Sequence, residues 1–253
     1  MKRSMIVGNV HMMLQGKGGV GKSFAMALLA QYAKSKGRDP LCIDSDPVNG
    51  TFFGYGGLNV VQLDVMVKDK IDPRKFDNLV TLLSESNGRE VIIDNGAASF
   101  VPLSYYLRAN DTPTLMTEMG HKLFIHTVIT GGQAFTDTIT GFQYLLTHFL
   151  PPVEFIVWLN PYWGPILDDE REFKDFEGYQ NNAHRIAGVI ELPDFDKETH
   201  GRDLSDMLQK RLTFDEALAV PSIGIAVHHR LKIIRKQLFE LLNKVLGTDS
   251  ELN

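Results

Sequence analysis

The chain has 253 residues, 43% of them hydrophobic, with a formal net charge of −5 and one cysteine, Cys42. That size and apolar content support one substantial core, and no Pro-, Gly- or Ser-rich linker divides it, so residues 1–253 read as a single domain. The acidic balance excludes a globally electrostatic grip on nucleic acid, and a lone cysteine excludes an internal disulfide or a cysteine-based metal centre, which suits a reducing cytoplasm.

The opening stretch MKRSMIVGNVHMMLQGKGG has the basic start of a secretory signal, but its apolar run is short and broken by Gly8, Asn9 and His11. No apolar run reaches the ~18 residues of a membrane span. The expectation is a soluble cytoplasmic protein with no transmembrane segment. Strands are predicted at VHMMLQ (10–15), PLCID (40–44), EVIID (90–94), KLFIHTVI (122–129), EFIVWLN (154–160) and IAGVIEL (186–192). Helical patterns occupy 21–36, 73–86, 99–109, 133–149 and 168–184, and residues 202–246 read as helical throughout. Near-continuous apolar strands alternating with helices imply an α/β fold of three layers, a mostly parallel central sheet with helices on both faces. Ligands of such sheets bind at the carboxyl ends of the strands. The chemistry is therefore expected just after Gln15, Asp44, Asp94 and Asn160.

Residues Gly16 to Ser23, GKGGVGKS, follow the first strand and open a helix, the context that gives G-x-x-x-x-G-K-[ST] its meaning as a phosphate-binding loop. Gly16, Gly18, Gly19 and Gly21, with Val20 between them, let the backbone N–H groups of residues 18–23 turn inward around a β-phosphate at a helix N-terminus. Lys22 is expected to bridge the β- and γ-phosphates, and the Ser23 hydroxyl to ligate Mg2+. Lys17 is one cation more than such a loop uses. From inside the glycine run it cannot easily curl back onto phosphates held by its own loop.

Two later strands end in carboxylates, CIDSDP with Asp44 and Asp46 and VIIDNG with Asp94. Beside a phosphate loop this is what Mg2+ requires, since the ion takes oxygen ligands and keeps several waters. Asp94 is the candidate to bind Mg2+ through water, and Asp46, followed by the turn at Pro47, to orient an attacking water. Asp44 is expected to hold the adjoining loop or a metal-bound water. Aspartates that merely form turns are the alternative.

The signature KGGVGKS, with its lysine at position 17, resembles the deviant Walker A motif of the ParA/MinD superfamily. In that superfamily two subunits sandwich two ATP molecules, so the resemblance implies a homodimer on ATP binding and makes Lys17 a charge that acts in trans on the partner's phosphates. It also implies slow, partner-stimulated, Mg-dependent ATP hydrolysis with Asp46 as the water-orienting aspartate. Asn160 in VWLNP and the segment ELPDF with Pro193 occupy the places that cradle adenine. Many relatives carry a second hydroxyl residue after the loop lysine and serine, where this chain has Phe24; its backbone contact to the α-phosphate is expected to survive. Longer stretches, among them PLCIDSDPVNGTFFGY, VIIDNGAASFVPLSYYL, HTVITGGQAFTDTITGF, IVWLNPYWGP and GRDLSDMLQKRLTFDEALA, resemble the conjugal-transfer members of the superfamily carried by IncP-type plasmids. They span residues 11 to about 240. This implies partners in the conjugation machinery: a relaxosome, a coupling protein or a secretion channel. A partition-type ATPase on a DNA surface is the alternative, disfavoured by the acidic net charge and the sparse Lys and Arg.

The histidines, including His121, His126, His148, His184 and His200, lack metal-site spacing. The tail HHRLKIIRKQLFELLNKVLG carries an apolar stripe (Leu231, Ile234, Leu238, Leu241, Leu242 and Val245) beside a basic cluster. Such a helix docks on its own sheet or lies on membrane or nucleic acid. Tyr162 and Trp163 read either as a partner surface or as a lid over the base.

Overall fold

The computed structural model describes residues 8–247; the basic opening considered above (residues 1–7) and residues 248–253 lie outside the described residues. Each of the six apolar runs forms a strand: β1 (Gly8–Met13), β2 (Leu41–Asp44), β6 (Val91–Asp94), β7 (His121–Thr130), β8 (Glu154–Asn160) and β11 (Ile186–Glu191). A short strand missed in the sequence, β3 (Val61–Gln62), completes a seven-stranded sheet in the order β11-β8-β7-β1-β6-β2-β3. Every neighbouring pair is parallel. Two two-residue hairpins decorate it, β4 (Met66–Val67) with β5 (Lys70–Ile71), and β9 (Leu167–Asp168) with β10 (Arg171–Glu172).

Helices cover both faces. One core layer packs α1 (Lys22–Ser35), α7 (His200–Gln209), α8 (Phe214–Ala219) and α9 (Ile225–Leu246) on the sheet through Leu28, Leu29, Met207, Phe214 and Leu238. The opposite layer packs α2 (Asp77–Ser84), α3 (Phe100–Ala109), α4 (Thr112–Glu118) and α5 (Phe135–His148) through Leu79, Leu103, Met116 and Leu145. The winding reverses across β1: β6, β2 and β3 lie on one side, β7, β8 and β11 on the other. A crevice therefore opens at the carboxyl end of β1, where the glycine loop begins.

Two expected helices are corrected. Residues 168–184 do not form one helix; they hold the β9–β10 hairpin, a 3-10 turn at Phe173–Asp175, the four-residue α6 (Glu177–Gln180) and a second 3-10 turn at Ala183–Arg185. The apolar period there comes from Phe173, Phe176 and Tyr179. They pack on one another, and Phe173 and Phe176 also meet Phe142 and Phe135 of α5, from short turns. Residues 202–246 are not helical throughout either. Left-handed Arg211 stops α7, and a capping box between Thr213 and Glu216 starts α8 as a separate helix. In α9, Leu231, Ile234, Leu238 and Leu242 are buried on the sheet layer. Its Arg230 pairs with Asp203 and its Arg235 with Asp215. That is the docked reading of the tail.

One polar chain crosses the sheet interior. Trp158 Nε1 donates to His126 Nδ1 (2.9 Å), His126 Nε2 meets His11 Nδ1 (2.8 Å), and His11 Nε2 lies 3.3 Å from Glu90 Oε1. Arg38 closes it with an ion pair to Glu90 Oε2 at 2.9 Å. Burial, then the neighbouring His11, holds the His126 pKa well below the usual imidazole value, so that ring is neutral.

Candidate functional site

The glycine loop is shaped by two left-handed residues, Gly19 (φ 73°) and Gly21 (φ 100°), and Gly21 is also the N-cap of α1. A Cβ at Gly21 would meet Asn160 Nδ2 at 2.9 Å, so both backbone angle and space demand glycine there. No acidic residue stands in the first turn of α1 and no side chain caps it, which leaves its amides for an anion. Lys22 is buried and its Nζ donates to the Lys17 carbonyl at 2.7 Å. Burial lowers the Lys22 pKa, opposed by the nearby Asp94 and Asp46 carboxylates.

Asp94 closes β6 directly beside the loop. Burial pushes its carboxyl up to about 7; Asp44 adds to that shift, while a hydrogen bond from the Ser23 hydroxyl and the charge of Lys22 oppose it. Its Oδ1 is buried with no hydrogen-bond partner. Asp44, buried at the end of β2, has both oxygens engaged by its own loop: Oδ1 accepts from the Asp46 amide and Oδ2 from the Phe53 amide, each at 2.8 Å. Asp46 Oδ1 in turn accepts from the Val48 amide at 2.9 Å, and its carboxylate covers the α-carbon of Gly96. Of the three aspartates, Asp94 alone keeps an oxygen uncommitted.

A cavity of about 310 Å3 lies over this group, lined by Gly18, Gly19, Lys22, Ser23, Phe24 and Asp46. Asn49, Thr51, Tyr55, Ala97 and Leu208 complete its wall. A second cavity, about 420 Å3, adjoins it across Gly19, Gly21, Phe24 and Leu208. It is lined by Asn160, Tyr162, Trp163, Leu192, Pro193 and Phe195, with Arg202 and Ser205 of α7. Together they make a cleft with a charged end and a largely apolar end, the usual build of a site for a small charged organic ligand.

Asn160 lines the apolar end, but its amide serves the loop as well. Nδ2 donates to the Val20 carbonyl at 2.9 Å and Oδ1 accepts from the Tyr162 amide at 3.3 Å. Trp163 Nε1 donates to the Gly19 carbonyl at 3.3 Å, so this indole is a wall of the cleft. Lys17 stands apart: its side chain turns outward, half exposed, and Nζ pairs with Asp137 Oδ2 of α5 at 2.7 Å. It lines a shallow groove with Gln15, Gly16, Phe100, Val101 and Tyr144 instead of the phosphate cavity.

Residues 11–242 match the family described as the CobQ/CobB/MinD/ParA nucleotide binding domain. The chain belongs to that family. Two Escherichia coli proteins named Protein TraL are 54% and 52% identical to it, over 92% of this chain and 97% and 96% of their own lengths. The solved MinD cell division protein of Aquifex aeolicus is similar over 92% of this chain and 98% of its own, at 15% identity and a TM-score of 0.49. The glycine loop and the cleft lie within the residues matched to that nucleotide-binding domain family, and among the described residues no helix is long and apolar enough to cross a membrane.

Several site residues carried no motif. Gln15 is fully buried; its Nε2 donates to Thr127 Oγ1 and to the Val128 carbonyl, while its Oε1 accepts from the Lys17 amide, tying the loop's entry to β7. A lone amide at the end of the apolar run VHMMLQ was the available signal. Asn49, Thr51 and Tyr55 had a fainter one: buried Phe52, Tyr55 and Leu58 recur at every third position of the loop they anchor. Nothing in sequence pointed to Asp137 or Leu208.

Proposed function

We propose that this protein is an ATP-binding and ATP-hydrolysing dimeric switch that acts in conjugative plasmid DNA transfer, in the cytoplasm, as one domain over residues 1–253. The observation that carries the nucleotide chemistry is the meeting of Lys22, Ser23 and the buried Asp94 at the open N-terminus of α1. The resemblance to conjugal-transfer ATPases, together with the similarity to Protein TraL, supplies the process and the partner class: a relaxosome, a coupling protein or a secretion channel.

The backbone amides of Gly18 to Ser23, with Phe24, cradle the phosphates, and Lys22 exchanges the Lys17 carbonyl for phosphate oxygens. The residues fit Mg2+: Asp94 Oδ1 is a buried oxygen without a partner, next to the Ser23 hydroxyl. Ser23 and Asp94 would hold the ion, which when bound neutralises charge on the β- and γ-phosphates. Asp44, with both oxygens on loop amides, contributes chiefly by fixing that loop and with it Asp46. Asp46 orients water for in-line attack. Lys17, already turned away from its own cavity, reaches the partner's phosphates once two copies meet, and Asn160 and Pro193 frame the adenine.

The test separates trans from cis action. Lys17→Ala and Asp46→Ala proteins are each inactive alone, because every site lacks one group. Mixed, half the dimers are heterodimers with one competent site in two, so about a quarter of the unmutated ATPase rate returns. No recovery, with heterodimers confirmed by native mass spectrometry, would refute the trans role.

A further inference from the structure

The loop between Asp46 and Leu58 forms one wall of the phosphate cavity, and it is held from two sides. On the inside, the Asp44 carboxylate grips the Asp46 and Phe53 amides, and Phe52 and Tyr55 are buried. On the outside lies the corner between α7 and α8. Gly54 has an unstrained φ, so its backbone does not demand glycine. Its surroundings do: a Cβ there would stand 2.3 Å from Arg211 Cδ and 2.6 Å from Arg211 Nη1. The arginine side chain occupies the space that a Gly54 side chain would need.

Arg211 is itself out of place as a helix terminator. Its φ is 53°, the left-handed position after α7 where glycine is the low-cost residue, and its amide donates to the Leu208 carbonyl at 2.9 Å. The Leu212 amide donates to the Met207 carbonyl at 3.2 Å, so the backbone bonds of a helix end are complete and glycine would serve them at lower cost. Among the described residues Arg211 makes no ion pair. Its side chain stands against the Gly54 backbone, next to Tyr55, whose hydroxyl is raised to about 12 by burial, with Arg211 opposing. Leu208, one turn back on α7, lines both cavities. The corner, the shared cavity wall and the Asp46 loop are therefore in one mechanical chain.

We propose that Arg211 is a positioning residue for nucleotide turnover: by pressing on Gly54 it holds the Asp46–Tyr55 loop at the working distance from the phosphate loop. This rests on the ATPase reading above. A second strap runs parallel to it, with Glu216 packed on Gly57 and Lys34 Nζ donating to the Gly57 carbonyl at 2.7 Å. That strap keeps the far end of the loop folded when Arg211 is removed.

The decisive variant is Arg211→Gly, because it relieves the left-handed backbone while deleting the clamp. The melting temperature stays level or rises, and ADP affinity changes by less than about twofold because the phosphate loop is untouched. The kcat falls on the order of tenfold, as expected for a displaced water-orienting group. Gly54→Ala drives the arginine off and lowers kcat similarly in the unmutated background. In the Arg211→Gly background the methyl has room and adds little, so the two effects are non-additive. A retained kcat, a melting temperature that falls in step with kcat, or equal Gly54→Ala effects in both backgrounds would each overturn the proposal. Hydrogen exchange at amides 48–55 gives a readout independent of turnover: it speeds up in Arg211→Gly while α1 stays protected. Unchanged exchange overturns the clamp even if ATP hydrolysis itself fails to appear, and absent hydrolysis with faster exchange sinks only the ATPase reading.

Discussion

At the charged end of the cleft, one unbroken stretch, residues 16–23, supplies the largest single share of the lining, and it works through backbone amides and two glycines at positive φ. The apolar end is assembled differently. Phe24, Asn160, the loop holding Pro193 and Phe195, and the face of α7 come from four separate places in the chain and meet because β8 and β11 are neighbours in the sheet. The first end is chemistry written in a local motif; the second is chemistry produced by topology. The two ought to fail differently when altered.

The largest effect belongs to the charged end. Lys22→Ala removes the central cation of a buried phosphate site, a loss of about 3 kcal/mol or roughly 100-fold in affinity. The sheet does not depend on that side chain, so far-UV circular dichroism should be unchanged while calorimetry with ATP shows binding lost. Intact affinity would remove the phosphate loop from the site.

Asn160→Leu tests whether the two ends are separable. Losing its polar contacts should cost about 1–3 kcal/mol in ATP binding. Because Asn160 Nδ2 also holds the Val20 carbonyl, pyrophosphate, which has no base, should weaken along with ATP. If pyrophosphate binds this variant as well as the unmutated protein, the ends are independent and the Val20 tie is energetically idle. Equal affinity of the unmutated protein for ATP and GTP would count against adenine selection at this end.

The smallest effect is a pH slope. Asp94 is raised to about 7 in the folded protein against 3.8 in an ordinary carboxyl. Between those values the folded state holds a proton that the unfolded state has released, so this group lowers stability as pH rises from 3.8 towards 7 and adds nothing further above it. A cation ligand must be deprotonated, so Mg-dependent affinity should weaken up to about tenfold per pH unit below 7. Calorimetry across pH 5.5–8 in buffers of differing ionisation heat would show the released proton. In the nucleotide-free protein at pH 8, Asp94→Asn should raise the melting temperature, by about 2–4 °C for each kcal/mol relieved. A flat affinity profile would take Asp94 out of the cation site.

The six long strands, the first five helices bar α4, and the charged end of the cleft were legible because each depends on residues near in sequence. β2 and β6 announce themselves as apolar runs closed by Asp44 and Asp94. What stayed hidden depends on partners far along the chain. β3 is two residues with exposed side chains, Val61 and Gln62, and only its pairing with β2 makes it a strand. The false helix over 168–184 arose because Phe173, Phe176 and Tyr179 mimic a helical period while answering to one another and to α5. The direction of Lys17 was set by Asp137, a surface residue 120 positions away that no spacing rule selects. The place of Asn160 at the end of β8, on the cleft, was legible, yet its bond to Val20 was not.

The polar chain from Trp158 to Arg38 has a consequence for how the sheet is threaded. An indole nitrogen is a donor and nothing else, so His126 Nδ1 must be bare, its Nε2 must carry the hydrogen, and His11 Nδ1 must accept it. His11 then has only its Nε2 hydrogen to turn towards Glu90. Every member of the chain has one permitted orientation. Sliding β1 or β7 by a single residue would swing His11 or His126 to the opposite face of the sheet and strand its neighbour's polar atoms in an apolar layer. Apolar side chains tolerate a slipped pairing, since one valine resembles the next. Three linked rings on β1, β7 and β8 do not, and they favour the one alignment of the central strands in which each ring nitrogen meets its partner.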